Sequence, residues 1–296
     1  EVWRGVPVTD EALTQCVRSL RKALGDDAAR PRFIETVPKH GYRFIAAIGE
    51  PPLPVAPPPS VEAIDPRLVA RRRRTIGAAG ALGGAGAGAI GGVIYGFAAA
   101  ASSDVGAAST FLVLVLLTTV VGLVGGAGVS FGMAFVGYTE TRPSTAVAVM
   151  AGLGGLAVGG LFKLLGGDAF ELLFGQDPQG VTGPVEGGVL GLCIGLGAVL
   201  AGIRSWEPPL RLSMTVAALT GALGGVLVTL MGGRLMGGSL QRLADSFPGS
   251  HLRLDAFGHL LGEPTFGPLS LMVSSGLGGA LFGSCVVGAM IVGRRI

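Results

Sequence analysis

Apolar residues in the first fifty positions recur first with a helical period and then with a strand period. Leu13, Val17, Leu20 and Leu24 are spaced four, three and four apart, which gathers them on one face of a helix. Thr9 and Asp10 offer N-cap oxygens ahead of this run, and Gly25 stops it. The other faces carry Thr14, Gln15, Arg18, Arg21 and Lys22. Two β-like runs follow, Arg32 to Val37 and Tyr42 to Ile45, joined by Pro38-Lys39-His40-Gly41, which predicts a hairpin turn. Pro51 to Pro66 reads PPLPVAPPPSVEAIDP and favours neither period; such a segment acts as a semi-extended spacer at about 3.1 Å per residue.

Past residue 70 the pattern becomes continuous apolar runs, at about 75–101, 109–138, 144–165, 184–203, 210–232 and 268–293. Each is long enough for the roughly 20 residues that a helix needs to cross a hydrocarbon core. With the amino-terminal part placed inside, the inward loops receive Arg71 to Arg74, Arg142, Arg204, Arg211, Arg294 and Arg295. The outward loops receive Asp104, Asp168, Glu171, Asp177 and Glu186, and a mixed last loop from Gly233 to Gly267. This is the positive-inside bias, and six spans bring both ends to the same side.

The runs also resemble one another in pairs. Ala81-Leu82-Gly83-Gly84, Gly152-Leu153-Gly154-Gly155 and Ala222-Leu223-Gly224-Gly225 mark the first, third and fifth. Gly132-Met133-Ala134, Gly191-Leu192-Cys193 and Gly283-Ser284-Cys285 mark the second, fourth and sixth. Amphipathic pieces of similar shape, LLGGDAFELLFGQ and LMGGSLQRLADSF, follow the third and fifth. The expectation is three helical hairpins from one two-span unit, packed through Gly and Ala at spacings of three and four.

Composition agrees with lipid burial. Of 296 residues 49% are hydrophobic and 14% charged, with mean hydropathy +0.63, against about 25% charged in soluble domains. Cys16, Cys193 and Cys285 have neither disulfide-framework nor metal-ligand spacing. The middles of the runs lack Asp, Glu, Lys and Arg, which argues against ion-coupled transport; Lys163 stands near a run's end. Gly128-Val129-Ser130-Phe131-Gly132 matches a nucleophile pattern, but in an apolar run without His it reads as a packed helix. Gly86-Ala87-Gly88-Ala89-Ile90-Gly91 follows a basic run rather than a strand, so it predicts no dinucleotide site. His251 and His259 read as loop residues near Asp255 and Glu263.

A polar, cationic helix followed by a hairpin with a basic tip suits a duplex: the helix enters the major groove and the hairpin reaches the backbone. The wording here resembles a known family. Val2-Trp3, Val8-Thr9, Leu20-Arg21-Lys22-Ala23-Leu24-Gly25-Asp26, Phe33-Ile34-Glu35-Thr36-Val37-Pro38 and Gly41-Tyr42-Arg43-Phe44 look like the C-terminal half of an OmpR/PhoB-type winged-helix DNA-binding domain. The likeness covers about residues 1–46 and is nearest the membrane-anchored ToxR/CadC-like transcriptional regulators. The family's N-terminal strands and first helices have no counterpart, and the chain opens on Glu1, so a fragment of a longer product is expected. The resemblance implies that Thr14, Gln15 and Arg18 face base edges or adjacent phosphates, and that Arg21, Lys22, Lys39, His40 and Arg43 mainly meet phosphates.

The sequence therefore predicts a mainly α protein with a partial winged helix (helix plus β-hairpin wing) over 1–48. A Pro-rich linker over 49–70 and a six-span Gly-rich transmembrane domain over 71–296, built as three two-span repeats, complete it. The expected function is a membrane-integrated one-component transcriptional regulator, multi-pass in the bacterial inner membrane with both termini cytoplasmic. Its expected partners are double-stranded DNA, the lipid bilayer and a second copy of the chain, with no catalytic or metal site and no cofactor. The alternatives are a small-solute channel or carrier and a membrane scaffold, each with a vestigial DNA-binding head.

Overall fold

A computed structural model describes residues 10–46, 66–101, 106–136, 144–175, 182–202, 209–247 and 252–295. Mainly helical, the chain divides into two compact units, Glu1–Ile64 and Asp65–Ile296. In the first, α1 (Asp10–Leu24) precedes an antiparallel hairpin of β1 (Ile34–Val37) and β2 (Gly41–Phe44). Thr9, one of the two expected N-cap residues, lies outside the described residues, and the other, Asp10, opens α1. Gly25, at φ +63°, ends α1, and the Asp26 amide donates to the Arg21 carbonyl at 2.9 Å, as in a Schellman closure. The apolar stripe forms, yet only Val17 of it is buried; Leu13, Leu20 and Leu24 stay 40%, 52% and 43% exposed.

The hairpin register pairs Ile34 with Phe44, Glu35 with Arg43, Thr36 with Tyr42 and Val37 with Gly41. Its turn has Pro38 at the second position and Lys39 at φ +65° in the third, closed by the His40 amide on the Val37 carbonyl at 3.0 Å. That is a type II arrangement, whose third position favours Gly or Asn.

The second unit contains α2 (Pro66–Ala100), α3 (Ala107–Val136), α4 (Ser144–Phe174), α5 (Pro184–Leu200), α6 (Leu210–Leu230), α7 (Met236–Ser246), α8 (Asp255–Leu260) and α9 (Pro268–Arg295). The most extensive pairings are α2 with α3, α4 with α5, and α6 with α9. The next most extensive, α9 with α2, α3 with α4 and α5 with α6, close a ring. Five of the described helices, α2, α3, α4, α6 and α9, are long and apolar enough to cross a membrane. The fourth expected span is shorter: α5 has 17 residues, or about 25 Å.

Several boundaries move. α2 starts at Pro66, so residues 66–70 are helix rather than linker and Arg71 to Arg74 lie along it. The piece LLGGDAFELLF is continuous with α4, whereas the corresponding piece after α6 is set off as α7 by a turn with Gly232 at φ +81°. The two pieces are thus unlike in structure. Arg142, Arg204, Asp104, Asp177 and His251 lie outside the described residues.

Adjacent glycines hold the ring together. At Gly84, Gly155 and Gly225 a Cβ would strike the backbone of the helix's own partner, at Gly122, Gly187 and Ser275. At Gly83, Gly154 and Gly224 it would strike the neighbouring pair, at the Cys285 carbonyl, the Gly128 carbonyl and the Cys193 side chain. Gly126, Gly191 and Gly279 flank the first set of crossings, so the spatial correspondence is not the one drawn from Gly132, Gly191 and Gly283. The sequence likeness followed shared letters, while the helices align by where small residues let backbones meet.

One end of the ring is filled by Ile76, Met133, Val147, Ile194, Val286 and Met290, each nearly solvent-free. At the other end Tyr95, Leu114, Leu240 and Leu254 pack α7 and the start of α8 against the bundle. Large apolar side chains such as Leu82, Phe97, Leu116 and Leu219 point outward, between 65% and 69% exposed. Glycine within and bulky hydrocarbon without is the pattern of helices solvated by lipid.

Candidate nucleic-acid interface

At about 100° per residue, Thr14, Gln15, Arg18, Arg21 and Lys22 fall within roughly 120° of the α1 surface, beside the apolar stripe. The first three, and Lys22, are exposed. Gln15, Arg18, Lys22, Lys39 and His40 use their side chains in no hydrogen bond or ion pair among the described residues, and Lys39 and His40 form the exposed tip of the hairpin.

Three of the expected contact residues have internal partners. The Arg21 guanidinium donates through Nη2 to the Ile34 carbonyl at 2.8 Å and to Thr36 Oγ1 at 2.9 Å, and sits 5.7 Å from the Tyr42 ring centroid. It ties helix to hairpin. Arg43, largely in solvent, pairs across the register with the half-buried Glu35 at 2.6 Å. Thr14 Oγ1 accepts from the Tyr42 hydroxyl at 3.4 Å.

Two positioning residues are not evident in the sequence pattern. The Asp26 carboxylate accepts from the amides of Arg32 at 2.7 Å, Phe33 at 3.3 Å and Ile34 at 2.9 Å. The Arg32 amide in particular holds this carboxyl below its usual pKa; the Ile34 and Phe33 amides and the charge of Arg21 add to the effect. Tyr42 is the second, stacking on Arg21 and bonding Thr14. The available signal for Asp26 was its place just after the helix-ending Gly25, where a short acceptor can collect the amides of a returning chain. Asp26 is thus turned to backbone and Glu35 to Arg43.

The other sequence motifs fall within the bundle. Ser130, fully buried, donates to the Gly77 carbonyl at 2.7 Å and so joins α3 to α2. Gly86 and Gly91 face open space on a continuous helix. His259 is exposed near the end of α8.

Comparison with known proteins bears on the first unit. Residues 1–44 match the family described as "Transcriptional regulatory protein, C terminal". The cholera toxin transcriptional activator of Vibrio cholerae is 47% identical over 49 residues, 16% of this chain and 17% of that protein. The cholera toxin homolog transcriptional activator of Vibrio parahaemolyticus gives the same figures. The transcriptional activator CadC of Escherichia coli is 38% identical over 71 residues, 21% of this chain and 14% of that protein. The chain therefore spans about one sixth of the length of these curated relatives. No solved structure matches. The N-terminal stretch is an OmpR/PhoB-type domain segment, and its relatives are ToxR/CadC-type transcriptional activators.

Proposed function

We propose that this chain is a membrane-integrated, one-component transcriptional regulator whose α1 and hairpin face duplex DNA. The observation that carries the reading is the side-by-side exposure of Gln15, Arg18 and Lys22, unengaged, on a segment that matches transcriptional regulators. Thr14, Gln15 and Arg18 approach base edges or adjacent phosphates. Lys22, Lys39 and His40 meet phosphates, and Arg43 joins them when Glu35 releases it. Arg21 holds the wing through Nη2, keeps Nε buried, and offers Nη1 to the backbone. The reading is non-enzymatic.

In this reading the ring spans the bacterial inner membrane six times as three two-helix repeats, with both termini cytoplasmic. The threefold recurrence of the glycine pairs supports the repeats. Arg71 to Arg74, Arg211, Arg294 and Arg295 all belong to the helix ends around the Ile76–Met290 core, which supports that end as the cytoplasmic one. The first core cluster counts against the channel alternative, because its bulky side chains fill one end of the ring. A membrane body joined by a Pro-rich linker acts on promoter binding through local concentration or association of copies rather than rigid rotation.

The test is DNA binding by the membrane-extracted protein across a salt series. Arg18→Ala should weaken binding, and Lys22→Ala should lower the slope of log affinity against log salt by about one. Unchanged affinity in both variants removes α1 from the interface.

A further inference from the structure

The loop after α6, helix α7 and the start of α9 enclose a cavity of about 260 Å³ that the reading above leaves unused. Arg234 and Arg242 both line it, and neither guanidinium has a hydrogen-bond or ion-pair partner among the described residues. Burial and then the charge of Arg242 lower the Arg234 pKa, with Asp245 opposing. Both guanidiniums thus border one cleft, with the Asp245 carboxylate on the same wall. Two cations held together in a half-enclosed cleft are stabilised by an oxyanion that bridges them.

The rest of the wall narrows the chemistry. Asp245, also at the cavity, offsets one of the two charges, so the site suits a single negative charge. Asp245 accepts from Gln241 Nε2 at 2.9 Å, while Gln241 Oε1 is buried without a partner and calls for a hydroxyl donor. Phe266 and Leu271 supply an apolar side. The cavity is smaller than the 300 Å³ or more typical of drug-sized ligands. It also lies within a turn or so of where α6 ends and α9 begins, the ends of two helices apolar enough to cross a membrane. That is the level of lipid headgroups.

We propose that Arg234, Arg242 and Gln241 form a binding site for the phosphodiester of a glycerol-bearing anionic lipid headgroup. Arg234 and Arg242 hold the phosphodiester oxygens, the headgroup hydroxyl donates to Gln241, and the acyl chains leave along the outward apolar face, where Leu230 and Leu269 are exposed. The inference rests on the chain being membrane-embedded and not on DNA binding.

The experiment is native mass spectrometry of the full chain extracted in detergent, titrated with phosphatidylglycerol and, separately, phosphatidylcholine. Soluble glycerophosphoglycerol serves as competitor. The expected result is preferential retention of phosphatidylglycerol, weakened at least tenfold by Arg234→Ala and by the more exposed Arg242→Ala. Arg253→Ala, which removes a cation near Asp255 on the same segment, should leave it unchanged. Competition by the soluble diester would confirm the site and assign recognition to the headgroup alone; its failure would assign part of the affinity to the acyl chains. Equal binding of both lipids, or wild-type affinity in Arg242→Ala, overturns the proposal. A chain that stays in the aqueous phase without detergent overturns instead the membrane reading.

Discussion

The guanidinium of Arg21 lies 5.7 Å from the ring centroid of Tyr42 while its Nη2 donates to the Ile34 carbonyl at 2.8 Å. One side chain from the last turn of α1 thus reaches both strands of the hairpin. In a unit where Val17 and Ile34 are the buried apolar side chains among the described residues, this polar tie sets the angle between helix and wing.

Replacing Arg21 by Ala should cost about 1–2 kcal/mol of local stability, from the lost hydrogen bonds and the exposed cation–π contact. Arg21→Lys should recover charge but not the planar fork that serves Ile34, Thr36 and Tyr42 together. Hydrogen exchange at residues 33–37 should therefore speed up in both variants. Protection kept in Arg21→Lys would show that charge alone matters there.

Asp26 and Glu263 make a prediction about acid. Three amides of the returning chain hold the first, the Arg32 amide chief among them; the hydroxyl of Ser270 leads for the second, with amides of Gly267, Leu269 and Ser270. Both folded-state pKa values are lowered. Their contributions are therefore fully present above the unfolded carboxylate values of about 4 and are lost as pH falls through the folded ones. NMR titration of the Arg32 and Ser270 amide shifts should give midpoints below the ordinary carboxylate range. Asp26→Asn should abolish the first transition and leave the second.

Lys39 separates backbone from charge. At φ +65° a side chain with a Cβ costs about 1 kcal/mol more than glycine. Lys39→Gly should accordingly stabilise the hairpin while lowering the salt slope of DNA binding by about one, and Lys39→Ala should lower the slope without the stabilisation. Thermal unfolding alongside the salt series checks both.

The glycine pairs predict which substitutions the bundle tolerates. A Cβ at Gly84 or Gly155 would meet backbone of the facing helix, so Ala at either should cost about 1–3 kcal/mol and lower thermal stability in detergent. Gly86 meets nothing within 4 Å, and Gly86→Ala should be neutral or stabilising by up to about 1 kcal/mol. A reversed order would contradict the close-packed ring.

Much of this was legible from residue order. The period of Leu13, Val17, Leu20 and Leu24 and the turn residues around Lys39 placed α1 and the hairpin to within about two residues, because local propensity governs both. The exposure of that apolar face was not legible, since a period tells which residues share a side and not whether anything covers it. At the interface, exposed cations were readable by type, whereas the diversion of Arg21 and Arg43 depends on what the folded hairpin brings near them. In the bundle, length and hydropathy marked the helices, but pairing register depended on backbone approach at Gly126 and Gly279, which repeated letters such as Gly283-Ser284-Cys285 do not encode.

The most direct test of a DNA-facing head on a membrane body is sedimentation of labelled chromosomal fragments with sealed vesicles at low salt. Inverted vesicles carrying the wild-type chain should bring DNA down. Right-side-out vesicles, and inverted vesicles carrying Arg18→Ala with Lys22→Ala, should not. DNA carried down by right-side-out vesicles, or equally by the double variant, would contradict the account.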